Sequence, residues 1–377
     1  MRILFISKDN PFGLGGGNFA TRAYLQAFSE LCNGNIDVFL ADSIHEDNSI
    51  NVHAYYKTPE RSFFKRVYSV LRGNELSRYP DAVKRHLSKN TKYDLCVFNN
   101  SKVAAGLIEF VGGKGVRTVT IHHNVEPEYV RDNTPNPLLR ALLVHHVRCA
   151  ERNSFFLSDY NLFLTQQDFD AFLTLYGENK KTNRVLGTFE FKDLPSISHK
   201  EFNDKEVTIA ITGSLCTVQG VDGIRYFFDE LYPSLPLNVG VIISGRKPTD
   251  EIIHMCEQHE RVKLVPNPED MNSIINQADI YVCPTRLGGG LKLRVMDGLR
   301  LGIPVISHTC SARGYDDFEG SDFFQSFNDK KGFKEALTKV LNNYESGIIT
   351  REIIQKQYAF AFSYEVGLSR LKEIIMS

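Results

Sequence analysis

The densest set of groups able to do chemistry lies in Pro284-Thr285-Arg286-Leu287-Gly288-Gly289-Gly290-Leu291-Lys292-Leu293-Arg294-Val295-Met296-Asp297. An apolar run ends at Cys283, three glycines follow, and a helical pattern runs from about Leu291 until Gly302 and Pro304 stop it. A strand, a glycine turn and a helix start offer an anion unpaired backbone N–H groups and a positive dipole end. Lys292 and Arg294 are cations suited to neutralising a diphosphate, and Asp297 is a carboxylate suited to ribose hydroxyls. The plainer reading is a glycine-rich loop beside solvated basic residues. The order strand, Gly-Gly-Gly, helix, Gly-x-Pro favours the anion site.

A second group is Thr118-Val119-Thr120-Ile121-His122-His123-Asn124-Val125-Glu126, where two histidines, an amide and an acid follow an apolar run. Ligands of open α/β sheets bind beyond the carboxyl ends of the strands. A histidine there can orient a sugar hydroxyl or donate to developing charge. Adjacent residues in an extended chain point to opposite faces, so His122 and His123 do not share one metal ion, and no metal site is expected. A third stretch, Gly13-Leu14-Gly15-Gly16-Gly17, puts four glycines in five positions ahead of a helical pattern. It suits a phosphate or sugar hydroxyl, or is a turn that binds nothing. No Gly-Lys-Ser/Thr follows, so it is not a P-loop.

These groups need strands and helices to hold them. Short runs typical of doubly buried strands are found at Ile3–Ile6, Ile36–Leu40, Tyr93–Phe98, Arg117–Ile121 and Asn161–Thr165. The pattern restarts with Val207–Thr212, Asn238–Ser244, Val262–Val265, Ile280–Cys283 and Pro304–Ser307. Helical spacing intervenes, as over Phe19–Leu31, which implies parallel sheets of the α/β class. Between the two series lies Lys192–Lys205, rich in charge and turn formers and the best linker. Domains are therefore expected at 1–195 and 206–355, with a helical tail at 356–377 that crosses back in many proteins of this architecture.

The 377 residues suffice for two cores, and 44 Lys+Arg against 45 Asp+Glu give no general attraction for nucleic acid. Seven cysteines without a CxxC pair argue against a disulfide framework or zinc site and fit a reducing cytoplasm. The N-terminal apolar run is too short for a signal peptide, and no stretch approaches a membrane span. The expected location is cytoplasmic, with peripheral attachment at the inner membrane face left open. The basic and aromatic stretch Ser62–Arg72 suits an anionic membrane surface or an amphipathic helix packed on the core. Pro137–Val147 is expected in the core.

Taken in order, these residues resemble the retaining glycosyltransferases of the GT-B "group 1" class, family GT4. The resemblance rests on Gly13–Gly17, on His122-His123-Asn124-Val125-Glu126, on Ile211-Thr212-Gly213-Ser214-Leu215, on Val241-Ile242-Ile243-Ser244-Gly245-Arg246, and on Ala278–Pro284 with its glycine loop. It spans most of the chain. It implies two Rossmann-like domains facing each other across a cleft, a nucleotide-diphosphate sugar as donor and no cofactor. The acceptor side, on the first domain, would take a glycan, lipid-linked or protein-linked acceptor.

Carried over residue by residue, the resemblance puts donor-binding glycines at Gly15, Gly16 and Gly17 and at Gly288, Gly289 and Gly290. Gly213 and Ser214 open the second domain. The sugar-facing histidine falls on His123, or else on His122. Of the family's two glutamates, the second falls on Asp297 and the first on Gly289, where no acid stands. That leaves sugar recognition to backbone N–H groups from Gly288 to Leu291. The family's Arg and Lys for diphosphate have no match in Cys216–Gly220, so Arg246, Lys292 and Arg294 are the substitutes. Retention without a metal is implied, with the diphosphate as base for the acceptor and Glu126 as a second candidate. Two alternatives remain: a non-catalytic subunit of the same fold that binds a glycan or nucleotide sugar, and a nucleotide-sugar epimerase.

Overall fold

The computed structural model describes residues 1–13, 16–40, 49–58, 64, 79–89, 92–197 and 202–376. The chain divides into two compact units, Met1–Lys192 with Tyr364–Ser377, and Asp193–Ser363. The returning segment begins at Tyr364 rather than at 356. Ser363 interrupts the helical tail, giving one helix at Arg351–Phe362 and another at Tyr364–Met376.

The first unit holds a seven-stranded sheet of β1 (Ile3–Ser7), β2 (Ile36–Leu40), β3 (Ala54–Lys57), β4 (Leu95–Asn99), β5 (Arg117–His122), β6 (Tyr160–Phe163) and β7 (Thr182–Val185). Its order is β3-β2-β1-β4-β5-β6-β7 and every pairing is parallel. The central strands Ile-Leu-Phe-Ile-Ser and Leu-Cys-Val-Phe-Asn are buried throughout, as expected of strands covered on both faces. The order reverses between β1 and β4, which opens a crevice at their carboxyl ends. The final helix closes the unit, with Lys372 Nζ 3.3 Å from Glu30 and the Tyr364 hydroxyl donating to the same carboxylate.

The second unit holds β8 (Val207–Ser214), β9 (Val239–Arg246), β10 (Val262–Pro266), β11 (Ile280–Cys283), β12 (Val305–His308) and β13 (Phe324–Phe327). The order is β10-β9-β8-β11-β12-β13, again all parallel, with its reversal between β8 and β11. The glycine loop thus follows β11, which flanks its sheet's reversal, while the histidine group follows β5, one strand beyond the β1/β4 reversal. The α/β class with two Rossmann-like units is borne out.

Two local expectations are corrected. The helix after the glycine loop spans Arg294–Leu299, starting three residues later than Leu291; Gly288 and Gly290 before it hold positive φ values of 84° and 73°, outside helical backbone. The helix Pro137–Leu157 is not wholly core: Leu138 is 83% exposed, and Leu139 and Leu142 are exposed beside it. Only its later turns, with Val147, Glu151 and Phe155, are buried. Ser62–Arg72 lies outside the described residues, Phe64 excepted.

Candidate functional site

In the second unit the end of β8 and the glycine loop after β11 meet around Arg294. Its Nη1 donates to Thr285 Oγ1 at 3.0 Å. Its guanidinium lies so close to the main chain of Gly213 that a Cβ there would stand 2.8 Å from Cζ. Gly213 also holds φ +152°, which a side chain would strain. Glycine at 213 is therefore what lets a cation lie flat on the strand end. Ser214 and Arg246 are register partners on β8 and β9, and Arg246 is exposed there.

Lys292 is committed elsewhere. The residue is only 8% exposed, and its ammonium donates to the carbonyls of Gly288 and Gly289 at 2.9 and 3.0 Å. Burial holds its pKa below the usual lysine range. The Lys292 carbonyl in turn accepts from the Tyr315 hydroxyl at 2.8 Å, and Cys310 Sγ donates to the Gly288 carbonyl at 3.4 Å. Gly288, Gly289 and Gly290 are buried, and the Gln219 amide packs against Gly288. Lys292 thus pins a closed turn. Leu291 is half-buried beside it.

Asp297 pairs with Arg300, Oδ1 to Nη2 at 3.1 Å. Burial raises its pKa, while Arg300 and Arg294 act against that rise. The carboxylate, 31% exposed and paired with one guanidinium, retains lone pairs for a hydroxyl donor.

In the first unit the reversal between β1 and β4 brings together residues far apart in sequence. His123, 8% exposed, bonds through Nε2 to Asn99 Oδ1 at 2.7 Å. Asn99 Nδ2 donates to Ser7 Oγ at 2.9 Å and to Thr21 Oγ1 at 2.8 Å. Burial lowers the His123 pKa, against the opposing fields of Asp9 and Glu126. Gly17 packs on the Asp9 carboxylate, while Gly15 lies outside the described residues and Gly16 begins the first helix.

His122 points to the opposite face, as alternation in a strand requires. It is 1% exposed, stacks on Phe163 at 5.0 Å and meets Phe172 edge-on. Nε2 bonds Asn161 Oδ1 at 3.0 Å, and burial pushes its pKa down to about 4. The structure does not bring His122 to the strand-end group; it is a neutral residue of an aromatic core.

Glu126 is buried and ion-paired with Lys102, and it accepts from Asn100 Nδ2 at 2.8 Å. Its backbone N–H donates to Glu151 Oε1 at 2.8 Å, and the Tyr176 hydroxyl donates to Glu151 Oε2 at 2.7 Å. Burial pushes Glu151 up to about 8. Glu126 is already held by an ammonium and an amide, so the geometry makes it a structural member of this network.

Sequence reading missed Ser7, Asp9, Asn99 and Asn100 of this group. The pair Asn99-Asn100 at a strand's carboxyl end was the available signal. Among the described residues, no group of three or more His, Cys, Asp or Glu is placed to hold a metal ion, and no helix is long and apolar enough to cross a membrane.

Residues 206–343 match the family model described as "Glycosyl transferases group 1". No curated protein sequence matches the chain. Among solved structures, sucrose-phosphate synthase (tll1590) from Thermosynechococcus elongatus superposes with a TM-score of 0.73 at 13% identity, covering 100% of this chain and 98% of that one. Anabaena Alr3699/HepE in complex with UDP and glucose gives 0.71 at 13%, covering 100% of both chains. WaaG, a glycosyltransferase involved in lipopolysaccharide biosynthesis, gives 0.66 at 14%, again covering 100% of both. Identities this low speak for the fold. The chain has the GT-B fold, and the stretch 206–343 within it is similar to the glycosyl transferases group 1 family.

Proposed function

We propose that this protein is a retaining, metal-independent glycosyltransferase that moves a hexose from a nucleotide-diphosphate sugar to a glycan, lipid-linked or protein-linked acceptor. The observation that carries the reading is the Arg294 guanidinium laid on Gly213 at the β8/β11 reversal, inside the family-matched region. A preorganised cation at a strand-end crevice stabilises the diphosphate as it leaves. The bond from the anomeric carbon to the diphosphate oxygen breaks, and its electron pair goes to the diphosphate. The acceptor oxygen bonds the anomeric carbon, and its proton passes to a diphosphate oxygen. Arg294 and Arg246 face the diphosphate, Asp297 the ribose, and the Gly288–Leu291 backbone the sugar. Lys292 keeps that turn in shape. His123 on the first unit takes a sugar hydroxyl.

UDP and UDP-glucose in the Anabaena HepE structures make UDP-sugars the first donors to test. A lipid-linked acceptor fits the exposed Leu138, Leu139 and Leu142, with Arg148 and Arg152 exposed further along the same helix. The departure at Gly289 favours one alternative, a subunit that binds nucleotide sugar without turnover. Incubation with UDP-, GDP-, ADP- and dTDP-sugars and candidate acceptors separates the two. Acceptor-dependent release of nucleoside diphosphate supports transfer, and binding without release supports the alternative. His123→Ala and Asp297→Ala are each expected to lower turnover more than about tenfold, the scale of losing a preorganised contact. Unchanged turnover in both removes the site assignment.

A further inference from the structure

The amide of Asn99 has its orientation dictated by its surroundings. Ser7 Oγ donates its single proton to the Asp9 carbonyl at 2.8 Å, so toward Asn99 it can only accept. The amide nitrogen must face it, and the same nitrogen spends its other proton on Thr21 Oγ1. The amide oxygen is left pointing at His123 Nε2, 2.7 Å away. Ser7, Thr21 and Asn99 are fully buried, so no water competes for these bonds. A carbonyl oxygen cannot donate, so His123 Nε2 must carry the hydrogen.

We propose that Asn99 is a positioning residue that fixes His123 as its Nε2–H tautomer and leaves the Nδ1 lone pair to accept from a ligand O–H or N–H. The proposal rests on the reading of this group as sugar-facing, and it narrows that reading. A neutral ring of this tautomer binds a donating hydroxyl and rejects a phosphate or carbonyl oxygen at Nδ1. No described residue bonds Nδ1. The Tyr24 ring meets the imidazole edge-on at 5.9 Å and holds its plane, with the Tyr24 hydroxyl tied to the Gly187 carbonyl at 2.7 Å. The charged groups facing the ring are Asp9 and Glu126, and Glu126 is already paired with Lys102. Low proton affinity from burial keeps the ring neutral near pH 7.

The test is the tautomer itself, read by long-range proton–nitrogen correlation on protein carrying ¹⁵N-histidine. The His123 signals are identified by their loss in His123→Gln. The wild-type ring is expected to be neutral at pH 7 with its proton on Nε2. Asn99→Asp keeps the acceptor and adds a charge, so Nε2–H persists and the His123 midpoint rises by about one unit or more. Asn99→Leu removes the acceptor, and Nδ1–H becomes populated. Ser7→Ala perturbs the orientation while leaving Asn99 in place, so it gives a mixture even if Asn99→Leu fails to fold. A wild-type Nδ1–H tautomer, or Nε2–H unchanged in both Asn99→Leu and Ser7→Ala, overturns the proposal. The spectrum needs no substrate, so the positioning role stands or falls apart from the transfer assay. If the tautomer is as expected but no sugar nucleotide turns over, the functional reading fails and the positioning role does not.

Discussion

The guanidinium of Arg294 occupies the space that a side chain on residue 213 would fill, with Cζ 2.8 Å from the place of the missing Cβ. The two positions are therefore one feature: Gly213 vacates the strand end and Arg294 fills it with charge. Arg294→Ala is expected to weaken nucleoside diphosphate binding about tenfold, the scale of one charge-assisted hydrogen bond. Gly213→Ala is expected to do the same by pushing the cation away. Titration calorimetry with UDP and GDP reads both. Wild-type affinity in both variants ends the assignment of Arg294 to the diphosphate.

Lys292 gives a different signature. Its ammonium joins the carbonyls of Gly288 and Gly289 inside a buried turn. Lys292→Met leaves the Gly289 carbonyl without that partner, a loss of about 1–3 kcal/mol in stability. The cost is expected to show in urea unfolding as well as in turnover. A variant as stable as wild type but inactive would instead place the ammonium on the substrate.

The buried Glu151 predicts a pH dependence of stability. Burial raises its folded-state pKa from 4.5 to about 8, although the Tyr176 hydroxyl and the Glu126 N–H favour the charged form. The folded state then binds this proton more tightly than the unfolded chain. The contribution is complete below about pH 4.5 and is lost as pH rises toward about 8. Glu151→Gln mimics the protonated group, with its amide donating to the Tyr176 oxygen. It is expected to be more stable than wild type at pH 8.5, and the advantage should vanish at pH 4.5. Urea midpoints at both pH values test this, and a pH-independent difference rejects it.

The parallel sheets were legible because buried strands such as Ile3–Ser7 are apolar at every position but the last. The strands that escaped notice, Ala54–Lys57, Thr182–Val185 and Phe324–Phe327, lie at sheet edges and mix polar with apolar residues. Their pairing comes from neighbours rather than from their own pattern. The site was half legible for a related reason. His123 announced itself at a strand end, but Asn99 reaches it through the parallel register Ser7↔Asn99 and Asn99↔Ile121, which no local spacing reveals. Cations were easy to find in the sequence. That Lys292 bonds its own loop while Arg294 lies on Gly213 depends on the backbone path through the glycines.

The exposed turn of Pro137–Leu157 carries the last expectation. Apolar spacing alone puts Leu138, Leu139 and Leu142 in a core, yet all three face solvent, with Arg148 and Arg152 exposed further along the helix. Leucines at the tip with cations behind them match an interface where acyl chains lie beneath anionic headgroups. Leu138→Ser with Leu142→Ser is expected to abolish cosedimentation with phosphatidylglycerol vesicles while changing the melting temperature little, since Leu138 is 83% exposed and Leu142 47%. Arg148→Ala with Arg152→Ala is expected to weaken binding at low salt more than at high salt, because screening removes what the charges add. Wild-type protein that ignores anionic and neutral vesicles alike would leave these leucines to another partner and would weaken the case for a lipid-linked acceptor.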